Sequence, residues 1–432
     1  MSLQILASIP DANQLELTFD EGWFLDFFRR VTAQTIAVYY KNEFWQKLVH
    51  QACATQVVVR HSAIAIGALH WSRMSKSLLV SGNKPTYFVL NQFSKVFRHL
   101  HHELDSEIPR KQRMEAILIS CGILVSSAFA QGDAQGCGCH FRAGYELLNN
   151  WQRFQMDNSS IGIIVLKMFN QVYLDWPPLI GHAGAKSHSY PLQLVQDYQV
   201  DRMIETPEDA CGVLTILGWL TLQMRPLSNI GRRTDSASFM VLEKLNHWKH
   251  ILLQQEKRLS ESRHQAFVMM DMWSEVVLIK CLSDEWIHDG EMRYDNFLSH
   301  FQRILQLGED LALNVSLSRS WALSGIVTPL FYCAFKCRDW ITRRKAISLL
   351  QRGDHEQGIW SFSGVALVLD RLVGIESEGF LEHEVIAPSS RIDALHVDFL
   401  SGVPNLQLSY RRTARQHDCG DTSVWGKELI EY

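Results

Sequence analysis

Residues 44–71 read FWQKLVHQACATQVVVRHSAIAIGALHW, and the spacing of their apolar side chains decides the fold class. Phe44, Trp45, Leu48 and Val49 fall at i, i+1, i+4 and i+5, one buried face of an α-helix. Ala63, Ile64, Gly67 and Ala68 repeat that spacing in the next segment, and Ile117, Leu118, Cys121, Leu124 and Val125 form a similar stripe. Helical periods resume at 210–223, 236–255, 263–282, 296–313, 327–336 and 341–350. Gly67, Gly122 and Gly218 stand singly inside such patterns, where close helix packing is the ordinary reason for glycine. Residues 132–138 read as a short loop before a helix starting near His140, and Trp176-Pro177-Pro178 ends a helix because neither proline can continue it. The expectation is an all-α helical bundle. Residues 1–20 form an N-terminal extension and 21–432 a single all-helical domain, with one candidate subdivision near 176–207, the longest stretch without a period.

Composition points the same way. Of 432 residues, 47% are apolar and 20% charged, which excludes a disordered chain and supplies a large core. Glycine and proline together make about 8% of the chain, below the usual share of about 12%. The net charge of −4, with no long basic run, speaks against a strongly basic nucleic-acid binder. No signal peptide or membrane span is expected. Nine scattered cysteines, mostly inside apolar helical patterns, read as core thiols in a reducing compartment, cytoplasm or nucleus.

No reaction motif is present. G-x-S-x-G, H-E-x-x-H, G-x-x-x-x-G-K-[ST] and a strand followed by G-x-G-x-x-G are all missing. Cys137, Cys139 and His140, and the pair His99 and His102, lack the spacing of a structural zinc site, so neither a metal nor another cofactor is expected. Gly231-Arg232-Arg233, Arg343-Arg344-Lys345 and Arg411-Arg412 read as solvated helix ends. Thirteen tryptophans are mostly core, but aromatic walls with a few polar groups also suit an apolar ligand. The candidate substrate-binding wall is Met224, Trp273, Trp321 and Phe331; Arg225, Tyr332 and Lys336 are its candidate donors, with His182 and Lys186 acting from the long loop.

Two segments resemble a known family, the fungal-specific transcription factor domain, the helical regulatory region that follows a binuclear zinc cluster. Phe24 to Trp71 carries Phe44-Trp45, Leu48, Val59-Arg60-His61-Ser62-Ala63 and Ala68-Leu69-His70. Gly325 to Trp360 resembles the family's G-x-x-x-P-L, A-x-K-C-R, R-R-x-A-x-x-L-L and E-x-G-x-W elements, and Cys121 to Trp151 resembles its middle segment. Arg338, Arg343 and Arg344 are spaced to reach helix-end carbonyls or carboxylates, a structural role. The family's DNA contact comes from six cysteines in two C-x2-C-x6-C arrays and a basic linker. The first twenty residues here hold no cysteine and no basic residue, so direct DNA binding of that kind is not expected.

The resemblance then implies two functions. In the first, the helical pocket has become the active site of a cofactor-independent pericyclase, similar to the hetero-Diels–Alderases of fungal tropolone–sesquiterpene (meroterpenoid) pathways. Such an enzyme joins an o-quinone methide to an alkene such as humulene. Orientation of two apolar partners supplies on the order of 7–11 kcal/mol in favourable cases, and a donor at the heterodiene oxygen adds to it. His182 or Lys186 would serve any dehydration step. In the alternative, the chain is a transcriptional regulator of a fungal gene cluster lacking its own DNA-binding domain. The first reading implies small apolar substrates and a cytoplasmic location, the second a nuclear one; both leave room for a homodimer and neither involves a membrane.

Overall fold

The structure, a computed structural model, describes residues 17–36, 43–75, 84–105, 110–131, 133–153, most of 161–169, 234–256, 261–283, 287–314, 326–352, 356–357, 360–399, 405–412 and 425–431. The chain divides into two compact units, Met1–Phe169 and Asn170–Tyr432. The architecture is all-α, with a two-residue strand pairing and a three-stranded antiparallel sheet among the described residues of the second unit.

In the first unit α1 (Phe19–Phe27) runs through a π-helical turn (Phe28–Thr32) into Ala33–Ile36. Its start is a reciprocal cap: the Glu21 N–H donates to Thr18 Oγ1 at 3.3 Å, and the Thr18 N–H donates to Glu21 Oε2 at 3.1 Å. A second π-helical turn (Phe44–Leu48) leads into α2 (Val49–Thr55). There follow α3 (Val57–Ser75), α4 (Lys84–Asp105), α5 (Arg110–Gln131) and α6 (Ala134–Arg153). Helix α3 packs on α1, α2, α4 and α5, and every residue from Val58 to Ala68 is buried. A helix surrounded on all sides needs no polar face, so apolar side chains occur around its whole circumference, and its buried Arg60, His61 and Ser62 are hydrogen-bonded inside the fold. The same holds for α5, buried from Ala116 to Ala130. Its stretch Lys111–Gln131 is long and apolar enough to cross a membrane, but 83% of the most apolar part of that stretch is buried inside the fold, which makes it a core helix.

The helix α6 begins earlier than expected. Asp133 Oδ1 accepts the Gly136 N–H at 2.8 Å, a side-chain cap that starts the helix at Ala134 rather than near His140. Glycine does what its isolated positions imply. A Cβ on Gly67 would lie 2.7 Å from the Phe24 carbonyl oxygen, so α1 and α3 touch backbone to backbone there. A Cβ on Gly122 would lie 2.7 Å from the Phe44 ring. Gly218 is outside the described residues.

The second unit contains α7 (Thr234–Glu256), α8 (Glu261–Ser283), a 3-10 segment (Ile287–Phe297), α9 (Leu298–Asn314), α10 (Val327–Lys336) and α11 (Trp340–Gln351). A two-residue pairing of β1 (Glu356–Gln357) with β2 (Trp360–Ser361) precedes α12 (Phe362–Glu376). Helix α10 is central: it packs on α8, α9, α11 and α12, and all ten of its residues are buried. Asp339 caps α11, its Oδ2 accepting the Thr342 N–H at 2.9 Å. The helices expected at 236–255, 263–282, 296–313, 327–336 and 341–350 are found within a few residues, whereas 210–223 and the candidate subdivision at 176–207 lie outside the described residues.

The sheet is the element that the helical periods did not show. Strands β3 (Ile392–Phe399), β4 (Asn405–Arg412) and β5 (Trp425–Glu431) are antiparallel in the order β3-β4-β5. Among the described residues, Ile392, Leu395, Val397, Leu406, Leu408 and Ile430 are its buried apolar side chains. Of the seven described cysteines six are buried and Cys139 is exposed.

The close approach at Gly67 generates a test. Gly67→Ala should lower stability by about 1–3 kcal/mol in urea unfolding followed by circular dichroism, because a backbone carbonyl cannot rotate away from the added methyl. Gly22→Ala, with nothing within 4 Å of the added carbon, is the control and should be neutral or stabilising.

Candidate functional site

Four of the nine candidate site residues lie among the described ones, and the fold brings them to one pair of packed helices. Phe331, Tyr332 and Lys336 are on α10, and Trp273 is on α8. All four are buried. Arg225, Met224, His182, Lys186 and Trp321 lie outside the described residues.

The aromatic surroundings of Tyr332 are dense. Its ring meets Tyr294 edge-on at 6.4 Å and Phe301 at 6.2 Å, and Lys280 Nζ stands 5.3 Å from its centroid. Phe331 packs on Phe335 at 5.6 Å. Lys336 Nζ sits 4.2 Å from the Phe335 centroid and 5.1 Å from that of Tyr294, positions where an ammonium gains from the ring quadrupoles.

The ammonium itself has three acceptors. Lys336 Nζ donates to both oxygens of Glu291 at 2.9 Å and to the Asp393 carbonyl at 3.3 Å. Glu291 reaches it because Gly290, at φ 55°, turns the 3-10 segment at that point. Lys336 therefore ties α10 to the 3-10 segment and to β3, and donation to a ligand would require breaking one of these contacts.

From Glu291 the charges continue inward. Arg338 bonds Glu291 at 3.2 Å and Glu376 at 3.0 Å, and donates to the Phe335 and Ile392 carbonyls. Arg343 bonds the other Glu376 oxygen at 2.6 Å and the Ala334 carbonyl at 2.9 Å. The Ile392 N–H donates to Glu376 Oε1 at 2.7 Å. Burial pushes the Glu376 carboxyl upward, but Arg338, Arg343 and the Ile392 N–H outweigh it and hold the group below its ordinary value. Arg391, equally buried, forks onto Asp295 at 2.8 and 2.9 Å and donates to the Ile386 and Glu291 carbonyls. Arg344 pairs with Asp370 on the surface and lies over the Trp340 ring. The arginine spacing thus has the structural outcome that it implies, but the reading of these runs as solvated helix ends is corrected: Arg343 is buried inside α11 because Glu376 and the Ala334 carbonyl take its guanidinium, and Arg411 and Arg412 end strand β4.

The first unit has its own buried carboxylate. Glu21 Oε1 accepts from Lys95 Nζ at 2.6 Å and from Gln92 Nε2 at 2.8 Å, while Oε2 closes the helix cap. Gln92 Oε1 lies 2.8 Å from His61 Nδ1, and the His61 ring stacks on His99 at 5.5 Å. Burial raises the carboxyl, yet the hydrogen bonds from Lys95, Gln92 and the Thr18 N–H pull it down to about 2. Desolvation holds His61 and His99 below the ordinary imidazole value, so both stay neutral near pH 7. Among the described residues no group of three or more His, Cys, Asp or Glu could hold a metal ion.

Sequence reasoning overlooked the carboxylates. Glu291 and Glu376 meet partners 45 and 33 residues away, and no local period marks such pairs. Glu21 did carry a signal, since Thr18-x-x-Glu21 before an apolar run is a capping box. Arg391 had none.

Two measurements follow. Glu376→Gln leaves two buried guanidinium groups short of a counter-charge and should destabilise the protein by about 3–5 kcal/mol in urea unfolding. The acid limb of stability should have two stages. Unfolded imidazoles bind protons more readily than His61 and His99, so stability declines below about pH 6.5. Glu21 has a folded value below its unfolded 4.5, so its contribution is present above pH 4.5 and is lost as pH falls toward 2. Glu21→Gln should shrink that second stage by on the order of 2–3 kcal/mol, in urea titrations between pH 7 and 3, leaving the part that comes from Glu376, which is also held below its ordinary value.

Comparison with curated proteins finds no match, and comparison with solved structures finds none either. The family model described as the fungal specific transcription factor domain matches residues 24–173, a range that begins inside α1 and takes in the rest of the helical first unit. Over those residues the family model agrees with the resemblance read from Phe44-Trp45, Val59 to Ala63 and Ala68 to His70.

Proposed function

We propose that this chain is the regulatory region of a fungal transcriptional regulator, controlling the expression of a gene cluster for secondary metabolism. The observation that carries the reading is the family match over 24–173. No two cysteines in the 432 residues have C-x2-C spacing, so DNA contact on this reading comes from outside them, and the protein works in the nucleus.

The hetero-Diels–Alderase reading draws on one observation, the buried aromatic packing of Trp273, Phe331 and Tyr332 on α8 and α10. It would use small apolar substrates. The donor it assigns to Lys336 is bonded to Glu291, which is why the regulator reading is preferred.

Deleting the gene in its host and reading neighbouring transcripts and metabolites from the same cultures separates the two. The expected result is that the transcripts of adjacent genes fall together. Steady transcripts with loss of one final adduct and accumulation of its uncoupled precursors would overturn the regulator reading and establish an enzyme.

A further inference from the structure

We infer that β5 is a homodimerisation edge: two copies of the chain pair their β5 strands antiparallel about a two-fold axis at Leu429, joining two three-stranded sheets into one of six strands.

The two edges of the sheet are treated differently by the fold. Strand β3 is bound to the helices, since the Ile392 N–H goes to Glu376, the Ile392 carbonyl accepts from Arg338, and the Asp393 carbonyl accepts from Lys336. Strand β5 pairs with β4 from Trp425 to Glu431 on one side. Among the described residues no backbone hydrogen bond from another element reaches its other side. Strand edges of this kind template pairing with another chain unless proline, a bulge or repelling charges blunt them. Strand β5 has no proline, and its register with β4 is unbroken. Arg371 grips Glu428 at 2.5 and 2.9 Å, which holds the strand against α12.

One face of β5 presents Trp425, Lys427, Leu429 and Glu431, all exposed, with Leu429 at 59% and Trp425 at 40%. A two-fold axis perpendicular to the sheet keeps this face on the same side in both copies, so it must pass through a residue pair. An axis at Lys427 sets two ammonium groups opposite each other, and one at Glu428 sets two carboxylates opposite. An axis at Ile430 sets Leu429 against Glu431. Only an axis at Leu429 places Lys427 opposite the partner's Glu431 twice, around a central Leu429 pair. Opposite charges directly across strands stabilise pairing and like charges oppose it. The strand is self-complementary in that one register.

The test is sedimentation velocity of the full chain. The wild-type protein should sediment as a dimer. K427E alone and E431K alone each set like charges opposite twice, so each should weaken the dimer roughly tenfold or more. An equimolar mixture of the two variants, and the double variant, should restore it, because both combinations return opposite charges to facing positions. Both side chains are exposed, and circular dichroism would confirm unchanged folding. A monomeric wild type, a dimer indifferent to both single changes, or a mixture that fails to recover would each overturn the proposal.

Discussion

The carboxylate of Glu376 holds the second unit's helices and sheet in one arrangement. Its two oxygens receive Arg343 from α11, Arg338 from the junction between α10 and α11, and the backbone N–H that opens β3. A buried charge without partners costs several kcal/mol, so these groups are stable only when assembled together. From there Arg338 leads to Glu291, and Glu291 to Lys336 and back to the carbonyls of β3. Apolar contacts bring α8 to α12 together without specifying how a sheet should dock on them; the directional bonds of this network specify it.

The first unit solves a similar problem with a single carboxylate. Glu21 caps α1 with one oxygen and anchors α4 with the other, through Lys95 and Gln92. Two helices buried on all sides, α3 and α5, leave few places where a polar contact can fix one element against another, and Glu21 occupies one of them.

The helices were legible because a period of 3.6 residues leaves a local trace, and Val327–Lys336 lies where its apolar spacing places it. The sheet was not, although Leu406, Leu408 and Tyr410 alternate as a strand should. A run of eight residues ending in two arginines resembles a solvated helix end until its neighbours are known. Helix α12 escaped for a different reason: FSGVALVLDRLVGIE is apolar almost throughout, so no polar face gives its period away. At the candidate site, Tyr332 and Lys336 share a helix by spacing alone. Their partners Tyr294 and Glu291 come from a 3-10 segment whose geometry depends on one glycine, and that dependence is not visible locally.

The burial of the cysteines gives the molecule a built-in chemical clock. Burial pushes Cys53 and Cys121 up to about 12 and Cys337 to about 11, and raises Cys137 and Cys333 as well. Because the thiolate is the reactive species, these five sulfurs are protected from alkylating reagents as long as the helices around them stay closed. Cys139 is the exposed thiol among those described and reacts without any opening. The rates at which those five buried thiols are alkylated therefore report how often α2, α5, α6 and α10 come apart, residue by residue, with the protein's own sulfurs as the probes.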